Sequence, residues 1–117
     1  MPRPDGAHLG VWIDQNMDTG HGLSVEYCGE VFVVAEDGIT YTHEKGKILG
    51  SMLNGIVVVE PVLEPKVVEA AEEQPEENIF LEYVRCDEAG AINGIWDPQI
   101  NAWKDWSPNR NPITFET

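Results

Sequence analysis

The sequence predicts a mostly β domain, a small antiparallel β-sandwich or barrel with at most one short helix at about 66–73. Three observations predict it: long stretches alternate apolar and polar residues, turn dipeptides recur at short intervals, and one segment alone has helical composition. With 117 residues, 42% of them hydrophobic, the chain suits one domain whose core needs no metal or disulfide to hold it.

Residues 1–8 read as an extended arm, because Pro2 and Pro4 fix φ near polyproline values. Residues 9–106 form the β domain, and 107–117, with Pro108 and Pro112, a tail. Leu9–Ile13 is a short strand and 14–22 a polar loop. From Leu23 to Ala35 the odd positions are Leu, Val, Tyr, Gly, Val, Val and Ala, which predicts a long strand with a bulge at Gly29. Asp37-Gly38, Asn54-Gly55 and Asn93-Gly94 each predict a hairpin turn, since Asn, Asp and Gly tolerate positive φ. Residues 48–53 fit a short helix or a strand equally. Pro61 and Pro65 end the strand at 56–59 or confine it to a sheet edge, and Lys66–Glu73 is the single helix. Asn78–Cys86 is a strand with Ile79, Leu81 and Tyr83 on one side, and 100–106 pairs back on Ile95-Trp96.

Charge narrows the partners. Seven Lys and Arg stand against 21 Asp and Glu, a net charge of -14. Such a surface repels nucleic-acid backbones and anionic membranes, and the basic residues are scattered. No apolar run has membrane-spanning length and the N-terminus lacks a secretory pattern. Two cysteines, Cys28 and Cys86, are too few for a disulfide scaffold; each sits in a strand-like run as a buried thiol.

The residue patterns of catalysis are incomplete. Asp14, Asn16 and Asp18 alternate like the start of a calcium loop, but Thr19 stands where glycine belongs and Val25 where the bidentate Glu belongs. His8, His21 and His43 lack zinc-site spacing. Ser24, Ser51 and Ser107 lack a nucleophile elbow, and Cys28 between Glu26 and Glu30 has its thiolate disfavoured. Asp97 with Asp105 is one of many carboxylate pairs in so acidic a chain. The expectation is a non-enzyme with no cofactor and no metal.

Two features point to binding. Trp96, Trp103 and Trp106 crowd the last quarter, where they either close one end of the core or, Trp106 first among them, stand exposed as interface anchors; Trp12, between Val11 and Ile13, reads as core or as bracketing the sheet. Ten acids lie between Glu60 and Glu88, a solvated face or a docking patch for a basic surface. The candidate partner-binding residues are Pro2, Arg3 and Pro4 in the arm and Trp103, Trp106, Pro108 and Arg110 at the other end. By class, the chain is expected to be a structural subunit of a larger protein assembly. Its most specific form is a decoration or cement protein on a tailed-phage capsid, made in the host cytoplasm, carried in the virion, contacting the major capsid protein and compatible with self-association. The alternatives are an acidic inhibitor that mimics nucleic acid and a carbohydrate-binding module that uses the C-terminal tryptophans.

Overall fold

The computed structural model describes residues 3–17, 23–44, 47–49, 52–73 and 78–108. Along the chain run β1 (His8–Ile13), α1 (Leu23–Tyr27), β2 (Phe32–Val34), β3 (Thr40–Glu44), β4 (Lys47–Ile48), β5 (Val57–Val58), α2 (Glu64–Glu73), β6 (Ile79–Cys86), β7 (Ile92–Asp97) and β8 (Ala102–Asp105). The chain is mostly β, as its alternation predicts, and its strands make two antiparallel sheets. One has the order β5-β1-β6-β7-β8 and the other β2-β3-β4.

Strand β1 is the spine of the larger sheet, and its register separates two cores. Leu9, Val11 and Ile13 lie opposite Tyr83, Leu81 and Ile79. They point into the main core with Val57, Val59, Phe32, Val67, Ala70 and Cys28, beneath α1 and α2. The alternate positions, Gly10 and Trp12, lie opposite Glu82 and Phe80 and face the other way. There Ile56, Val84 and Ile92 form a smaller core flanked by Trp12, Leu53, Cys86 and Trp106. Gly10 is what lets Ile56 in, because a Cβ at position 10 would lie 2.8 Å from Ile56 Cδ1.

The helix starts before the predicted 66–73. A 3₁₀ turn at Pro61–Leu63 runs into α2, so Pro61 and Pro65 occupy first turns, where no backbone N–H is required. The long strand predicted from Leu23 to Ala35 does not form. Its first part is α1, packed on α2 with Val25 and Tyr27 against the core. Both Val31 N and Phe32 N donate to Cys28 O, a turn that buries Cys28 and Val31 before β2 begins. Gly29 lies in that turn; the bulge is elsewhere, between Arg85 and Cys86.

Of the three predicted hairpins, one stands where expected. Asp37-Gly38 joins β2 to β3 through a three-residue loop in which Gly38 N donates to Ala35 O and Gly38 has φ +80°. This is a type I turn followed by a left-handed glycine, in place of the predicted type I′. The β6–β7 hairpin repeats the device: Gly90 N donates to Asp87 O, Gly90 has φ +85°, and Asp87 Oδ1 accepts from Ala89 N and Ala91 N. That turn displaces the one predicted at Asn93-Gly94, which lies inside β7. Asn54-Gly55 belongs to a 3₁₀ turn at Met52–Gly55, and the buried Gly55 O accepts from Thr42 Oγ1. At the start of the chain Ala7 N donates to Pro4 O, so a turn interrupts the predicted extended arm and β1 begins at His8.

Candidate binding face

Where α2 stops covering the larger sheet, a row of aromatic and guanidinium side chains crosses β6, β7 and β8. Arg85 lies opposite Gly94, and Gly94 lies opposite Asp105. Arg85 uses that vacancy to lie flat over Gly94. A Cβ at position 94 would come within 2.8 Å of Arg85 Cζ and 2.9 Å of its Cγ. The guanidinium thereby reaches Asp105, at 2.5 Å, and sits 5.5 Å from the centre of the Trp103 ring. Trp103 in turn meets its cross-strand partner Trp96 edge to face, with centroids 5.4 Å apart. Beyond Trp96 the strands close in a loop stapled at its base. Lys104 Nζ lies 2.8 Å from Asp97 Oδ2, and Gln99 N donates to Asp97 Oδ1. The Lys104 contact first, and the backbone donors second, hold the Asp97 carboxyl below the usual aspartate range.

Trp96 also borders a cleft of about 310 Å³ between the sheet and α2, lined by Tyr83, Leu81, Val68, Glu64 and Arg3 among others. Arg3 closes its rim: the guanidinium meets Glu64 at 2.5 Å and lies 5.4 Å from the Tyr83 ring centre. The arm is therefore folded onto the domain at Arg3.

Of the residues singled out in sequence, the structure places Arg3 at the cleft and Trp103 in the cationic row. Trp106 is half-buried against the smaller core, on the other side of the sheet, and Pro108 is also half-buried. Pro4 is the acceptor of the first turn. Pro2 and Arg110 lie outside the described residues. Tyr83, Arg85 and Trp96 complete the face. The signals for them were the period-2 run Leu81, Tyr83, Arg85 and a glycine whose missing side chain is used by Arg85.

The acids of 60–88 do not form one patch. Glu64 is taken up by Arg3, Asp87 caps a turn, and Glu76 and Glu77 lie outside the described residues. Glu82 is half-buried below Trp12, and burial pushes its carboxyl above the usual glutamate range, offset in part by the indole. Trp12 itself stacks on Phe80, centroids 4.6 Å apart, with Nε1 short of hydrogen-bonding geometry to any described group. Glu69, Glu72 and Glu73 remain on α2 as an exposed acidic stretch. Among the described residues no group of three or more His, Cys, Asp or Glu converges as a metal site would. His43 is half-buried, its Nε2 2.8 Å from Gly29 O.

No protein-family model matches the chain, and no curated protein does. Solved structures do. The chain is similar to a ferredoxin. Ferredoxin 1 of Hydrogenobacter thermophilus superposes with a TM-score of 0.54 at 28% identity, over 63% of this chain and 96% of that one. A single-residue variant of the same ferredoxin gives 0.51 and 27% over the same shares. The likeness thus spans almost the whole ferredoxin and leaves over a third of this chain without a counterpart there.

Proposed function

We propose that the chain is a non-catalytic binding subunit that docks a protein partner on the β6–β8 face. The observation that carries this reading is the Arg85–Trp103–Trp96 row across β6, β7 and β8, beside the cleft that Trp96 shares with α2. Arginine and tryptophan are the residues that most often anchor interfaces, because they bury large area while keeping polar handles. Beside them β8 is the outermost strand, so its outer backbone groups are open to a partner strand among the described residues. The net charge of -14 favours a partner with a basic surface and speeds encounter with it.

The capsid-decoration form of this reading rests on sequence class and takes no support from the ferredoxin likeness. A sugar platform is disfavoured because Arg85 already occupies a face of Trp103. A nucleic-acid mimic is disfavoured because the acids of 60–88 do not form one regular array: Glu64 pairs with Arg3, Asp87 caps a turn, Glu82 is half-buried, and the exposed stretch on α2 is Glu69, Glu72 and Glu73. Electron transfer through a cluster of the ferredoxin kind takes four cysteine thiolates, and this chain has two cysteines.

Size fractionation of the native source tests the proposal. The wild-type chain should elute in a complex much larger than 13.0 kDa, and Trp103→Ala, with unchanged circular dichroism, should elute free. A wild-type chain that elutes as a free protein under mild salt refutes docking. Co-sedimentation with viral particles is the outcome specific to the capsid form.

A further inference from the structure

Ferredoxin clusters are held by cysteine thiolates, four to a cluster. The bacterial run is C-x2-C-x2-C-x3-C-P, and its last cysteine serves the other cluster where there are two. This chain has two cysteines in all. One register of that run places a cysteine of this chain on it with polar residues at every other position: Asp18, His21, Ser24 and Cys28, followed by Gly29. In every other register of either cysteine, at least one position falls to an apolar residue or glycine. The three places that would hold one cluster are thus a carboxylate, an imidazole and a hydroxyl. The cysteine that survives stands where the run serves a different cluster.

The fold also keeps the two thiols apart. Cys28 is 1% exposed and belongs to the main core with Val31, Phe32, Val67 and Ala70. Cys86 packs against Ile56, Val84 and Ile92 in the smaller core, on the opposite face of the sheet. The β-sheet lies between them, so they cannot ligate one cluster. Burial, and then the nearby Glu30, push the Cys28 thiol up, away from the thiolate a metal needs.

We infer that this chain keeps a ferredoxin-like scaffold but assembles no iron–sulfur cluster, its fold resting on two apolar cores in place of metal ligation. The inference stands apart from the docking face, since a clusterless scaffold can dock or not dock.

The experiment is anaerobic incubation of the full chain with ferrous iron and sulfide, followed by desalting. Bound iron, acid-labile sulfide and visible absorption are then measured, with thermal unfolding before and after a chelator. The expected result is no retained sulfide, no visible charge-transfer band and the same Tm with and without chelator. Iron retained without sulfide is counter-ion binding by an acidic chain and supports the inference equally. Iron and sulfide retained in matching, stoichiometric amounts, together with a Tm that the chelator lowers, overturns it.

Discussion

Gly94 and Arg85 should be energetically coupled, and the structure gives the size of the coupling. A methyl group at position 94 would stand 2.8 Å from Arg85 Cζ, so Gly94→Ala must lift the guanidinium off Trp103. What is lost is a cation–π contact worth about 0.5–1 kcal/mol at a site of this exposure. The ion pair to Asp105 adds little, because that carboxylate is 98% exposed. What is gained is the preference of a strand interior for alanine over glycine, about 0.5–1 kcal/mol. The two offset each other, so Gly94→Ala alone leaves stability nearly unchanged. In the Arg85→Ala background there is nothing left to displace, and the same substitution stabilises by about 0.5–1 kcal/mol. The assay is urea unfolding of the four proteins of the cycle, followed by circular dichroism so that altered tryptophan emission does not confuse the readout. Additivity of the two substitutions to within about 0.3 kcal/mol would refute the packing of Arg85 across Gly94.

Three further outcomes are expected. Gly10→Val should lower the urea midpoint by the equivalent of about 1–3 kcal/mol, because its side chain must enter space held by Ile56 and Val84; an unchanged midpoint would mean that the smaller core is loosely packed. Glu82→Gln should raise stability at pH 7, since burial raises the folded carboxyl above its unfolded value and the wild type loses stability as pH rises through that window. The gain should vanish below the ordinary glutamate range, where both states are protonated, and a gain that persists there would point to a cause other than charge. Cys86 should react with a thiol reagent in the native protein and the 1%-exposed Cys28 only as the chain unfolds; two equally fast thiols would contradict the burial of Cys28.

The β class, the strands at 9–13 and 78–86 and the Asp37-Gly38 turn were legible because each rests on local chemistry: alternation, or a residue able to take positive φ. Leu23–Ala35 misled for a definite reason. Over five residues an alternating run also supplies Val25 and Cys28, three apart, as one face of a helical turn, and only contact with α2 decides between them. Asn93-Gly94 misled because the glycine answers a steric demand from Arg85, nine positions earlier, that no local pattern shows. The binding face was half legible. Its tryptophans stood out by composition, whereas Tyr83 and Arg85 joined them through the β6–β7–β8 register, which depends on where the Asp87 turn falls.

The division of the apolar interior between the two faces of one sheet sets an order of opening. The β1–β6 ladder is walled on both sides, so its amides should be the slowest in the molecule to exchange with solvent. The smaller core is closed in part by Trp106, just past β8, and β8 can fray at the sheet margin without uncovering the larger core. The hydrogen-exchange map is thus graded from a rigid keel at β1–β6 to a soft margin at β8. A partner seated on that margin would change the exchange of its own footprint most and that of the keel least.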